Sequence, residues 1–215
     1  RAREELISEY FEKFRFNDVE IFLNASFNLM EYPSHLGINL GVVFMNTLLA
    51  KLIGAVLNDI RTVSEAKAIP SKEDIAFTFK SAWAMQNFLK IQKLNVPEEE
   101  VRVECEWIKR ETRCILEKVL EMGNGDVVVG ANIALKEGVL DHPFAANKAV
   151  KAKVVCVKDA EGALRYLETG GLPFTKEIIS YHREKIRDRK GRMKKEINYD
   201  VVIEDLLAVS KGYII

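Results

Sequence analysis

The stretch LNDIRTVSEAKAIPSKED, residues 57–74, is where an apolar segment of the chain becomes a polar loop and then a helix. Its first residues complete the apolar run AVLNDI, which predicts a short buried strand over 55–60. Arg61 and Glu65 follow, four residues apart, and Ser71 then opens a helix-start pattern with acidic residues in the first turn. Because sites in parallel α/β folds lie where strands end, the loop is a candidate ligand site.

The segments before this stretch predict alternating helices and strands. The predicted elements of the first 93 residues are a helix over 3–16, a strand over 19–27, a helix over 35–54 that is apolar nearly all round and ends at Gly54, the strand over 55–60 and a helix over 71–93. Alternation at this spacing indicates a parallel sheet. Two strands do not make a stable sheet alone, and the chain begins at Arg1 inside a predicted helix, so we expect a piece of a larger α/β unit.

The remaining residues, 94–215, predict an α+β region. The expected elements are a helix over 98–122 ended by Gly123-Asn124-Gly125, an apolar segment with a helical turn over 126–138, a strand over 152–157, helices over 159–169 and 175–191, and a closing apolar element over 197–215. The change of pattern predicts two domains, 1–93 and 94–215.

Composition is that of an ordinary protein with a sizeable core. The chain has 215 residues, of which 48% are hydrophobic, and its charged residues balance to zero. This balance predicts no general attraction to nucleic acid or anionic membranes. The longest apolar stretch, 36–56, is interrupted by polar residues and indicates a core helix, not a membrane span. Three cysteines without CxxC spacing, at positions 105, 114 and 156, predict free, buried thiols in a cytoplasmic protein.

Arg61 and Glu65 allow two interpretations. A carboxylate at the mouth of a strand can accept two hydrogen bonds from a vicinal diol such as a ribose, and an arginine presents a fixed fork of donors. The spacing by itself favours a local surface ion pair.

Other polar motifs favour structural roles. The three histidines form no HExxH pattern, predict no metal site and are expected at the surface or at helix caps. The basic run over 182–195 favours a solvated helix face or a protein contact over a phosphate contact. GNGD, 123–126, matches no phosphate loop and favours a helix end.

Several segments resemble the large (epsilon) subunit of coenzyme B12-dependent glutamate mutase, also called methylaspartate mutase. The resemblance covers nearly the whole chain and is carried by FNDVEIF (16–22), RTVSEAKAIPSKE (61–73), ETRCILEKVLEMGNGDVVVG (111–130), GVLDHPFAANK (138–148), KDAEGALRYLETGGLPFTKEI (158–178) and YDVVIEDLLAVSKGYII (199–215).

The resemblance implies an architecture and an activity. Residues 1–93 would form the last strand–helix units of a (β/α)8 TIM-type barrel, and residues 94–215 a C-terminal extension. The family interconverts L-glutamate and 3-methylaspartate by radical chemistry, with adenosylcobalamin (coenzyme B12) shared with a small cobalamin-binding subunit. The implied partners are that small subunit, the N-terminal barrel half and a second large subunit in a homodimer, with no nucleic acid and no membrane.

The resemblance also implies roles for four residues. Glu65 matches the ribose-binding glutamate of the family, and Arg61 stands where the family has a lysine. Ile69 matches an apolar contact, and Tyr32 stands where the family has a phenylalanine at the cofactor. No catalytic residue is assigned, because the arginines that grip substrate belong to earlier barrel strands. We therefore do not expect this chain to catalyse the reaction alone.

The chain departs from the family near the expected site. Ser26-Phe27-Asn28-Leu29 replaces a His-Gln-Trp-Met run, Met30 and Glu31 replace glycines, and further changes fall in 146–158. Asp141-His142 does not match the cobalt-binding DxHxxG motif, which lies on the small subunit. These departures keep a second hypothesis open: a diverged, non-catalytic paralogue that serves as a partner-binding or assembly module. Nucleic-acid binding through 182–195 is a third, more distant one.

Overall fold

The fold is of the mixed α/β class, as predicted. The computed structural model describes residues 1–27, 31–145, 147–194 and 196–213. Its elements are α1 (Ala2–Lys13), β1 (Asn24–Ser26), α2 (Leu36–Leu52), β2 (Leu57–Asp59), α3 (Lys72–Leu89), α4 (Glu98–Met122), α5 (Val127–Glu137), β3 (Val154–Lys158), β4 (Leu164–Thr169), α6 (Lys176–Met193) and α7 (Tyr199–Leu207). They divide into a first unit, Arg3–Pro97 with the segment that begins at Leu206, and a second unit, Glu98–Asp205.

The first unit contains the predicted parallel strand pair. β1 and β2 pair in parallel, with Asn24 opposite Leu57 and Ser26 opposite Asp59. Both strands are shorter than the ranges 19–27 and 55–60 that the sequence predicts, because only three residues on each side form the ladder. The parallel register brings the carboxyl ends of both strands to the same edge, so the loops that follow them start side by side.

Helix α2 is buried on one face and exposed on others, so the prediction of a core helix holds for one face only. Its buried side is lined by Asn39, Val42, Val43, Asn46, Thr47 and Ala50. Leu36, Phe44, Leu49 and Leu52 are exposed on other sides. β1, β2 and α3 pack against α2. Gly54, with φ +66°, ends the helix as predicted.

The start of α3 confirms the predicted cap. Ser71 Oγ accepts a hydrogen bond from the Asp74 amide at 3.1 Å, and Asp74 Oδ2 accepts one from the Ser71 amide at 3.2 Å. This reciprocal pair is a capping box, worth about 1 kcal/mol of helix stability. The hydrogen bonds from Ser71 lower the pKa of the Asp74 carboxyl.

The second unit contains an antiparallel hairpin where the sequence predicts a helix over 159–169, so that prediction is wrong. β3 and β4 pair in antiparallel register, and the turn between them is built by Asp159. Asp159 Oδ1 accepts from the amides of Glu161 and Ala163, and Gly162 has φ +85°. This turn reverses the chain before a helix can form.

The segment 126–138 also differs from its prediction, because most of it is the helix α5. Asp126 caps this helix by accepting from the Val128 and Val129 amides. Gly123-Asn124-Gly125 follows the last residue of α4, as predicted. The two helices approach closely: a Cβ built on Gly130 would lie 2.0 Å from the Val119 carbonyl oxygen.

Paired charges are buried in the second unit. Arg189 donates to both carboxylate oxygens of Asp205 at 2.5 and 2.7 Å, and all four of the atoms involved lie in buried side chains. Arg165 makes a second bidentate pair, with Glu104 at 2.7 and 2.8 Å, and also contacts Asp159. Arg189 belongs to the basic run 182–195, so the prediction that this run is a solvated face is wrong for Arg189.

The histidines and cysteines follow their predictions in part. His35 occupies the N-cap position of α2 and His142 is exposed, as expected. His182 is buried, with Nε2 3.0 Å from Glu111 Oε1, so the prediction of a surface position is wrong for it.

The three cysteines are free and partly buried, and burial raises the pKa of the Cys156 thiol to about 11. Among the described residues, no helix has both the length and the apolar character that crossing a bilayer requires.

Candidate ligand site at the strand ends

The strand ends of the first unit carry two polar side chains that contact each other. Ser26 is the last residue of β1 and Asp59 the last residue of β2, and the register places them opposite each other. Ser26 Oγ donates a hydrogen bond to Asp59 Oδ2 at 3.2 Å. Since loops leave both strands at this edge, it is the edge at which a ligand of a parallel α/β fold binds.

Arg61 and Glu65 form an ion pair in the loop after β2. Arg61 Nη1 lies 3.7 Å from Glu65 Oε1, and the side chains are 41% and 33% exposed. An exposed pair of this kind contributes about 0–1 kcal/mol to stability. The contact therefore agrees with the local ion pair that the spacing favours, and it leaves the carboxylate accessible to a ligand.

Tyr32 lies at the same edge, in the loop after β1. Its hydroxyl donates a hydrogen bond to the Phe27 carbonyl oxygen at 2.6 Å. Tyr32 and Arg61 line one small cavity together with Phe27 and Ile60. The structure thus places Tyr32 and Arg61 around one cavity, and Glu65 lies next to this cavity through its ion pair with Arg61.

Ile69 is not among the residues of that cavity. Its side chain is 94% exposed, at the far end of the loop. An apolar side chain in this position contributes little to the packing of the described residues, and single exposed apolar side chains are common on protein surfaces.

Three polar residues of the site region had no role in the sequence prediction. Asn46 Nδ2 donates to Asn58 Oδ1 at 2.8 Å and to the Asp59 carbonyl oxygen at 2.9 Å, while its own Oδ1 is buried without a partner among the described residues. Asn39 and Thr78 are buried beside the same loops. The signal was present: Asn39 and Asn46 lie seven residues apart on an otherwise apolar helix, a spacing that places both on one face.

The side chains at this edge are of types that can bind a polar ligand. A carboxylate, a guanidinium and a phenol can together accept and donate hydrogen bonds to a hydroxylated ligand. In the part of the chain that the structure describes, no group of three or more His, Cys, Asp or Glu side chains is placed to hold a metal ion.

Of the departures from the resembled family, Asn28, Leu29, Met30 and Ala146 lie outside the described residues. Ser26, another of these departures, lies at the strand ends and donates a hydrogen bond to the Asp59 carboxylate.

The chain belongs to the family described as methylaspartate mutase E chain, which matches residues 1–215. It is similar to proteins named glutamate mutase epsilon subunit. The identity is 35% over 212 residues with the protein of Treponema denticola, 33% over 210 residues with that of Desulfitobacterium hafniense and 31% over 211 residues with that of Escherichia coli O157:H7. Each comparison covers 98% of this chain and 43–44% of the relative, so the chain spans less than half the length of these relatives.

Proposed function

We propose that this chain is part of an adenosylcobalamin-dependent mutase, an isomerase that interconverts L-glutamate and 3-methylaspartate, and that it supplies the adenosyl-binding loop. The observation that carries the proposal is the meeting of Tyr32, Arg61 and Glu65 at the carboxyl ends of two parallel strands, in a chain of the methylaspartate mutase E family.

The side chains at this edge fit the adenosyl part of the cofactor. The Glu65 carboxylate is accessible and can accept hydrogen bonds from both hydroxyls of a ribose, while Arg61 holds the carboxylate in place. Ile69 offers an exposed apolar surface to the base, and Tyr32 closes the side toward β1. When bound, the cofactor supplies a carbon-centred radical through its cobalt–carbon bond. The task of these residues is to hold the ribose and orient the group that moves to the substrate.

Exposed apolar side chains support the presence of further barrel units. Phe79, Trp83 and Phe88 of α3 are exposed, as are Leu49 and Leu52 of α2. A two-stranded sheet needs additional strands for independent stability. We propose that the N-terminal barrel half of the large subunit completes a (β/α)8 barrel on this unit, that a small cobalamin-binding subunit covers its mouth, that large subunits form a homodimer, and that the assembly is cytoplasmic.

One observation favours the alternative of a non-catalytic assembly module. Arg61 is half-exposed and pairs with Glu65, which is what a local surface ion pair predicts without any ligand. In that case the loop would have lost cofactor binding while the apolar surface of the first unit continued to bind a partner.

The decisive experiment is a binding titration of the assembled protein. The chain is assembled with the N-terminal region of a glutamate mutase epsilon subunit and a small cobalamin-binding subunit, and adenosylcobalamin is titrated while the visible spectrum is recorded. We expect Glu65→Gln to weaken binding about tenfold, because hydrogen bonds to a charged acceptor are lost.

Glu73→Gln is the matched control. Glu73 lies in the same unit, is exposed and pairs with its neighbour Lys72. Its replacement should leave the affinity unchanged. An assembled protein that does not bind the cofactor, or that binds it equally well with Glu65→Gln, contradicts the proposal and favours the assembly module.

A further inference from the structure

Val63 lies midway between Arg61 and Glu65, and two buried side chains hold its backbone from different helices. Its N–H donates to Thr78 Oγ1 at 3.1 Å. Its carbonyl oxygen accepts from Asn39 Nδ2 at 3.3 Å. Asn39 belongs to α2 and Thr78 to α3, so the centre of the loop is fixed to both helices of the first unit.

Asn39 also reaches the loop that carries Tyr32. The same Nδ2 donates to the Pro33 carbonyl oxygen at 3.1 Å, one residue after Tyr32. The side chain is 1% exposed. An amide nitrogen has two hydrogens, so a single group can bond the two loops at once and set the distance between them.

Thr78 can serve Val63 only as an acceptor. Its hydroxyl donates to the Asp74 carbonyl oxygen at 2.7 Å, and this uses its one hydrogen. A lone pair of the same oxygen therefore faces the Val63 N–H. The side chain is fully buried, at 0% exposure, so water does not replace this acceptor.

The loop's own backbone bonds are local. The amide of Glu65 donates to the Thr62 carbonyl oxygen, and the amide of Lys67 to that of Ser64. Such bonds define the shape of the turn, but they do not connect it to the helices of the unit. The ties to α2 and α3 at Val63 come from the side chains of Asn39 and Thr78.

We infer that Asn39 and Thr78 are positioning residues for the ligand site: they hold Arg61 and Glu65 at a fixed place relative to Tyr32. The inference rests on the proposed function, because the ligand it concerns is the adenosyl group. Losing either side chain leaves a partly buried backbone group of Val63 without its partner, and the loop relaxes to recover one.

The test uses the protein assembled with the N-terminal barrel region and the small subunit, and it has two readouts. One is the dissociation constant for adenosylcobalamin, and the other is the hydrogen-exchange rate of the backbone amides of residues 61–65. Thr78→Val removes the hydroxyl at nearly constant shape, and Asn39→Leu removes the amide independently. We expect each to weaken binding about tenfold and to speed exchange in 61–65.

Two variants serve as controls. Thr78→Ser keeps the hydroxyl. Thr47→Val removes a buried hydroxyl from α2 that donates to the Val43 carbonyl oxygen within the same helix. Both should keep the parental affinity and the parental exchange of 61–65. Parental values for Thr78→Val and Asn39→Leu overturn the inference, and so does an equal loss in the two controls.

The two readouts separate this inference from the proposed function. If the parental assembly does not bind the cofactor, the proposed function fails, and exchange alone decides whether the loop is held as described. Faster exchange of residues 61–65 with Thr78→Val but not with Thr78→Ser then supports the inference, and unchanged exchange with Thr78→Val overturns it.

Discussion

The two units of this chain differ in how they pair their arginines with carboxylates. In the second unit, Arg165 and Arg189 are buried and each makes a bidentate pair with a carboxylate. In the first unit, the pair of Arg61 and Glu65 is partly exposed. The second unit therefore satisfies these charges within its own fold, whereas the first leaves its pair partly accessible to solvent.

The largest effect is expected from breaking the buried pair of Arg189 and Asp205. Arg189→Ala leaves the Asp205 carboxylate buried without its partner, and we expect a loss of about 3–5 kcal/mol in the free energy of unfolding. Denaturant unfolding measures it. Arg102→Ala is the control, because Arg102 pairs with Glu99 at the exposed surface of α4 and its loss should change the free energy of unfolding far less. Similar losses for both variants would show that burial does not distinguish these pairs.

The next effect concerns the close approach of α4 and α5. Gly130→Ala places a methyl group against the Val119 carbonyl oxygen, and we expect it to destabilise the chain by about 1–3 kcal/mol. Gly191→Ala in α6 meets nothing within 4 Å and should instead stabilise by about 0.5–1 kcal/mol, because alanine favours a helix. A stabilising Gly130→Ala would contradict the described packing of the two helices.

A smaller effect should appear in acid. The hydrogen bonds from Arg165 lower the pKa of the Glu104 carboxyl below its ordinary value of 4.5. A carboxyl group whose pKa is lowered by folding stabilises the fold at every pH above its ordinary pKa. This stabilisation is lost as the pH falls through the folded-state pKa. We expect Glu104→Gln to reduce the fall in melting temperature between about pH 5 and about pH 3. Glu100→Gln, on the same helix and exposed, should keep the parental pH dependence.

The smallest effect is spectroscopic and concerns the exposed face of the first unit. Trp107→Phe leaves Trp83 as the one tryptophan of the chain. We expect acrylamide to quench Trp83 readily in this chain and less after the N-terminal barrel region is added, since assembly would cover α3. Quenching that stays the same in a formed assembly would show that this face is not where the barrel continues.

The sequence predicted the elements whose signals are local. The capping box at Ser71 and the stop at Gly54 follow from residues close together in the chain. The parallel pairing of two strands followed instead from the alternation of helices and strands. The hairpin at 154–169 was missed although its turn is local: the Asp159 side chain accepts hydrogen bonds from the amides of Glu161 and Ala163, and this turn overrides the helical pattern of 159–169.

The candidate site was also predictable only in part: its position was, but its long-range contacts were not. Its position after β2 could be read from the change between apolar and polar residues. The bonds from Asn39 and Thr78 to Val63 could not, because they join residues 24 and 15 positions apart. The burial of Arg189 in a basic run was hidden for the same reason, since its partner Asp205 lies 16 residues away on α7.

The most direct test of the central claim, that this chain works as part of a glutamate mutase, is to follow the reaction itself. The chain is assembled with the N-terminal barrel region and a small cobalamin-binding subunit, adenosylcobalamin and L-glutamate are added, and the solution is monitored by NMR. We expect 3-methylaspartate to form, and we expect Glu65→Gln to slow its formation while Glu73→Gln does not. An assembly that binds the cofactor but converts neither L-glutamate nor 3-methylaspartate would contradict it.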